Sequence, residues 1–328
     1  MLRMGNRSGW IARVQEFTER RWRAPALRWA GVFCVLLLAG CRTGTAVSPT
    51  SKMEVTPTVS PVPEHTPAPP PTAIPPTATP APMATPTAAG PAPTPVPVGQ
   101  HPYSMAVEVR ETGTITRTVP VNYLLYLPQE YEQDEQQKWP LLLFLHGQLE
   151  WGDDPTVLTR QGVPKLLHEG RDLPAIVVSP QTPEGQRWWP RTAILNAFLD
   201  RIAATYAVDA QRIYLTGISM GGYGAWAMGI TYPRRFAALV PIAGGADYNT
   251  DYVPPEICGL CDVPTWAFHG ERDLNVPYTE SVNAIEALQA CGGNARLTLY
   301  PDAAHVEAWE RAYADDELWS WLFAQRRE

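Results

Sequence analysis

From residue 105 onward the rhythm of polar and apolar positions changes once. Short alternating segments at Met105–Arg110, Thr114–Thr118 and Val121–Leu127 predict antiparallel strands with one face buried. After them come near-continuous apolar runs at Leu141–Leu145, Ala175–Val178, Ile213–Leu215, Ala238–Ile242, Thr265–Phe268 and Leu297–Leu299. Helical periodicity fills three of the gaps, at Ile194–Tyr206, Gly222–Tyr232 and Thr279–Ala290. Strands without alternation are buried on both faces, and strands alternating with helices give a mostly parallel central sheet with helices on both faces. The expected class is α/β, in one domain over residues 101–328.

Upstream this pattern disappears. Residues 41–100 hold 17 of the chain's 35 prolines, and their only charged side chains are Arg42, Lys52, Glu54 and Glu64. A segment with no aromatic side chain and no apolar period has nothing to bury, so an extended, partly polyproline tether is expected, reaching at most ~150 Å at ~3.1 Å per residue. Residues 1–40 read as an export signal, with Arg20, Arg21, Arg23 and Arg28 ahead of an apolar run from Trp29 to Ala39. That run is well short of the ~20 residues a membrane-spanning helix needs. Leu38-Ala39-Gly40-Cys41 resembles the bacterial lipobox. Cys41 is therefore the expected lipidation site and mature N-terminus, with the remaining chain exported and lipid-anchored on the extracytoplasmic side of a membrane.

Charge narrows the partners. Residues 1–40 carry seven arginines against two glutamates, while the rest carries 19 basic and 31 acidic residues. An acidic mature chain argues against nucleic acid.

The sharpest chemical signal is Gly217-Ile218-Ser219-Met220-Gly221, between the strand ending at Thr216 and the helix beginning near Gly222. A strand-to-helix turn of this kind strains the serine into exposure, and the flanking glycines remove side chains that would collide. A neutral serine needs a base, and the base needs an orienting carboxylate. Asp273 follows the strand ending Phe268-His269-Gly270, and His305 follows Leu299-Tyr300-Pro301. Both therefore sit on loops after later strands. His269, at a strand end, is the rival base, and Asp247, after the preceding strand, is the rival acid. Two amides must face the oxyanion. Met220 supplies one; the loop His146-Gly147-Gln148 supplies the other from Gln148, or from Leu149. His146 itself reads as structural.

The segments Leu143–Gly147, Val178–Gln181, Arg212–Trp226, Phe268–Gly270 with Asp273, and His305 together resemble the α/β-hydrolase superfamily. Within it they are similar to the extracellular esterases grouped with polyhydroxybutyrate depolymerases and feruloyl esterases. The resemblance covers residues 103–325 and implies a Ser219-His305-Asp273 triad acting through an acyl-enzyme on carboxylic esters. It implies no metal and no organic cofactor. Gln148-Leu149-Glu150-Trp151 departs from the small residues usual in the oxyanion loop. The expected substrates are short acyl or polysaccharide-linked esters. The alternatives are a serine peptidase of prolyl-oligopeptidase type and a non-catalytic glycan-binding lipoprotein.

Cys258 and Cys261 precede one parallel strand and Cys291 precedes the next, so all three are expected at the sheet edge opposite the serine. A C-x-x-C pair could hold zinc, but no second pair completes a site. A disulfide from Cys258 or Cys261 to Cys291 is expected. Trp188, Trp189 and Trp309 are read on loops near the cleft, as packing groups or as a platform for a ring-shaped substrate.

Overall fold

The computed structural model describes residues 97–328 except 113–114, 132–135 and 249. The expected signal segment, Cys41 and nearly all of the Pro-rich tether lie outside the described residues. The chain enters the sheet through a long hairpin, β1 (Gly99–Thr112) and β2 (Ile115–Leu127), paired from Gly99↔Leu127 to Thr112↔Ile115. The two short strands expected at Thr114–Thr118 and Val121–Leu127 are thus one strand running through Pro120. At Pro120 β2 is flanked by β1 alone, because its pairing with the next neighbour covers only Tyr123 to Tyr126. An edge position of this kind tolerates a missing N–H.

Six further strands complete the sheet: β3 (Trp139–Leu145), β4 (Ile176–Pro180), β5 (Val208–Ile218), β6 (Ala238–Ile242), β7 (Thr265–Gly270) and β8 (Ala295–Tyr300). Their order is β1-β2-β4-β3-β5-β6-β7-β8. Pairing is antiparallel from β1 to β4 and parallel from there to β8. Every residue of β3, β4, β6 and β7 is buried, which explains their unbroken apolar runs.

The two-residue period of the strands divides their side chains between two cores. Leu141, Leu143, Ile176, Val178, Ile213 and Leu215 pack with α2 (Thr192–Thr205), α3 (Met220–Thr231) and α4 (Thr279–Ala290). Leu142, Phe144, Val177, Tyr214, Val240 and Phe268 pack with α1 (Gly162–His168), α5 (His305–Ala314) and α6 (Asp316–Ala324). The helices α1, α5 and α6 were not expected from the sequence. In α5 the buried residues are Ala308, Trp309, Ala312 and Tyr313, a stripe one turn apart and narrowed by charged neighbours. Trp309 accordingly lies on a helix rather than on a loop.

Parallel pairing brings the ends of β3 and β5 to β8 to one edge, where Leu145 faces Gly217, Ile218 faces Ile242 and Gly270 faces Tyr300. At the opposite edge Cys258 and Cys291 form a disulfide, with Cα atoms 5.4 Å apart. Cys261 keeps a free thiol, directed at the carbonyl oxygens of Cys258 and Cys291. The bridge spans 33 residues in sequence, for which loop-closure entropy gives roughly 3 to 4 kcal/mol. Cys291→Ser is therefore expected to lower the urea-unfolding free energy by about that amount, and wild type measured with reductant should match it; equal stability with and without the bridge would refute the estimate.

Candidate active site

Ser219 is the hinge between β5 and α3, with φ 52° and ψ −117°. A non-glycine residue in this region is strained and is held only by its surroundings. Two glycines make the turn possible. A Cβ on Gly217 would lie 2.2 Å from the Gly221 carbonyl oxygen, and a Cβ on Gly221 would lie 1.9 Å from that of Leu145. The turn is pinned by hydrogen bonds: the Ser219 amide donates to Ile242 at 2.9 Å, and the Tyr223 amide donates to Ser219 at 3.1 Å. The hydroxyl is thereby presented at the sheet edge where β3, β5, β6, β7 and β8 all end.

His305 arrives from the other side as the first residue of α5. Its backbone is set by the Ala304 amide, which donates to Glu307 Oε2 at 2.9 Å, the reach-back half of a capping box. The Ser219 hydroxyl and His305 Nε2 are 2.8 Å apart, and His305 Nδ1 is 2.5 Å from Asp273 Oδ2. A carboxylate at Nδ1 places the proton there, leaving Nε2 to accept from the serine. Trp309, one turn further along α5, packs edge-on against the His305 ring at 4.9 Å and donates its Nε1–H to Gln161 Oε1.

Asp273 is buried and fully engaged. Its Oδ1 accepts from the Asn275 and Val276 amides at 2.8 and 2.9 Å. Its Oδ2 also faces His269 Nε2 at 3.1 Å. Burial alone would raise the carboxyl pKa, but hydrogen bonds from His269 and His305 and the Val276 amide outweigh it and hold the group well below the usual range. His269 is fully buried, with Nε2 also 3.1 Å from the Val276 carbonyl and Nδ1 2.7 Å from Ser281 Oγ. It braces Asp273 from behind, and its described bonds do not include Ser219. Asp247 accepts from Thr250 Oγ1 on the connection after β6, away from this chain of bonds.

The loop after β3 reaches the serine from below. The position a Cβ on Gly147 would occupy is 3.7 Å from Ser219 Cβ. Gln148 opens a 3₁₀ turn, Gln148–Glu150, and Met220 opens α3, so both amides sit at helix starts where no earlier turn can accept them. Leu149 is 80 % exposed. His146 is buried, accepts the Thr182 amide at Nε2 and turns Nδ1 to the Gly147 carbonyl at 2.6 Å. Burial pushes its pKa down to about 4, so the ring is neutral. Trp188 is buried against it and donates Nε1–H to the His146 carbonyl. Trp189 instead stacks on Tyr248 at 4.5 Å, with Arg187 over the Tyr248 ring. Glu150, buried beneath the loop, and the bracing role of His269 were both missed from the sequence.

The sheet order, the strained serine and its hydrogen-bonded histidine and aspartate define an α/β-hydrolase fold. The family model described as "Putative esterase" matches residues 116–307, more than half of the chain, and the chain belongs to this Esterase family. A protein named "Putative carboxymethylenebutenolidase" from Salmonella typhimurium is 28% identical over 101 residues, covering 30% of this chain and 37% of the relative. Poly(3-hydroxyalkanoate) depolymerase C of Paucimonas lemoignei is 39% identical over 51 residues, 16% of this chain and 12% of its own. A solved thermostable esterase superposes with TM-score 0.55 at 29% identity, covering 68% of this chain and 63% of the other. The chain thus spans less than two thirds of the length of these relatives.

Proposed function

We propose that the chain is a membrane-tethered extracytoplasmic serine hydrolase that cleaves carboxylic esters, held by lipid on Cys41. The observation that carries the catalytic reading is the hydrogen-bonded sequence Ser219, His305, Asp273 built on a strained serine. His305 Nε2 takes the serine proton as Oγ attacks the acyl carbonyl. Asp273 keeps Nδ1–H oriented and balances the imidazolium. When the C–O bond breaks, His305 returns the proton to the leaving alcohol; water then enters by the same route and frees the acid. The Met220 and Gln148 amides face the oxyanion, each worth about 3 to 4 kcal/mol in the transition state. These steps require only the named groups and water.

The mouth of the site bears on substrate. Leu149, Tyr248, Tyr252, Leu274 and Val306 are exposed, and all lie on segments leaving β3, β6, β7 or β8 at the edge that carries Ser219. Between β6 and β7 the described residues form a single 3₁₀ turn, Pro255–Leu260, and no lid helix. An open, apolar-rimmed site suits short acyl or hydroxycinnamoyl groups on bulky alcohols such as polysaccharides.

Ser219→Ala and His305→Ala are each expected to lower kcat by about 10⁴ to 10⁶-fold on a soluble chromogenic ester, with the double variant little worse. An active His305→Ala beside a dead His269→Ala would reverse the assignment. Butyryl esters should turn over faster than palmitoyl esters, with no rate jump when the substrate passes its solubility limit; such a jump would reveal a lid. Cys41→Ser should move the protein from the detergent to the aqueous phase in Triton X-114, and retention in detergent would contradict lipid anchoring.

A further inference from the structure

The loop that approaches the serine carries a buried carboxyl that the reaction above does not use. Glu150 is the third residue after Gly147, which begins the turn, so its side chain folds back over the Gly147 backbone. Glu150 is 5 % exposed, and its Oε2 is buried with no hydrogen-bond partner among the described residues. The place where a Cβ on Gly147 would sit is 3.2 Å from that oxygen and 3.7 Å from Ser219 Cβ. The space left by the missing Gly147 side chain is therefore within contact distance of both this carboxyl and the serine.

The surroundings favour one charge state. His146 Nδ1 is 4.0 Å from Oε2, but its proton is committed to the Gly147 carbonyl and the ring is neutral. Arg160, on the 3₁₀ turn Pro155–Arg160, is the cation that acts on the carboxyl from the next segment. Gln181, following β4, donates its side-chain amide to the main-chain oxygens of Glu150 and Asp154 and gives the carboxyl nothing. The Asp154 side chain is turned to Thr156. Across Gly147 stands Ser219, hydrogen-bonded in turn to His305. With one carboxyl oxygen unpartnered and only the Gly147 amide and Arg160 to offset its charge, a carboxylate in such a site costs much more than the neutral acid.

We propose that Glu150 is a positioning residue that supports the oxyanion loop as an uncharged carboxylic acid, and that its ionisation slows acyl transfer. This rests on Ser219 being the nucleophile. The negative charge that develops beside the Met220 and Gln148 amides is opposed by a carboxylate in the same poorly solvated loop, and is not opposed by the acid. Burial pushes the carboxyl up to about 7, against the contrary pull of the Gly147 amide and Arg160. The wild-type rate is therefore expected to fall just above neutrality.

The test is kcat against pH from 5.5 to 9 for wild type, Glu150→Gln and Ser219→Ala on one soluble ester. Wild type is expected to fall at least about 5-fold between pH 7 and 9 through like-charge opposition. Glu150→Gln keeps the shape and cannot ionise; it should hold its plateau with KM little changed. A falling limb that survives in the Gln variant, or a variant weakened equally at every pH, overturns the proposal. An active Ser219→Ala would instead overturn the reading beneath it. Should the Gln variant not fold, the infrared carboxylic-acid carbonyl band of wild type decides. Loss of the band with the same midpoint as the fall in kcat supports the inference, and a band that is absent or persists unchanged to pH 9 refutes it.

Discussion

The positive φ of Ser219 is the constraint on which the site depends. A serine in that conformation carries of order 1 to 3 kcal/mol of strain and would relax into an ordinary turn if the chain allowed it. It is not allowed. β5 is buried between β3 and β6, α3 is pressed against the ends of those same strands, and the contact is so close that Gly217 and Gly221 have no room for a single carbon. The large apolar cores on both faces of the sheet thus supply the rigidity that holds one hydroxyl where a histidine can reach it.

The same economy governs the polar groups. Asp273 is made an anion by amides and two histidines, while His146, at the start of the loop after β3, is kept neutral by burial. Each of these groups lies at the end of a parallel strand, where the sheet stops and main-chain amides and carbonyls become free to bond side chains. Sheet topology, rather than any local motif, is what gathers residues 86 positions apart in sequence, such as Ser219 and His305, into hydrogen-bond contact.

Much of this was legible in the chain. Runs buried on both faces leave no polar alternation, so β3, β4, β6 and β7 announce a parallel sheet. Gly217-x-Ser219-x-Gly221 identifies its turn because glycine is demanded at both flanks, and Asp273 and His305 follow from the strands that precede them. Other features were hidden for physical reasons. The stripe of α5 is narrow because its outer face is charged, so His305 and Trp309 read as loop residues. Pro120 broke β2 on paper, yet at that point the strand has a neighbour on one side only and tolerates a missing N–H. The burial of Glu150 was not legible, since it is decided by the fold of the loop around it and not by its neighbours in sequence. His269 stood as the rival base to His305, and Cys258 and Cys261 stood as alternative partners of Cys291; three-dimensional proximity separates each pair.

The proposed activation of Ser219 by His305 is read out by treating the protein with a fluorophosphonate or sulfonyl fluoride and locating the adduct by peptide mass mapping. One stoichiometric adduct on Ser219 is expected, formed far more slowly when His305 is replaced by alanine. An adduct on another residue, or labelling of Ser219 at an undiminished rate without His305, would contradict it.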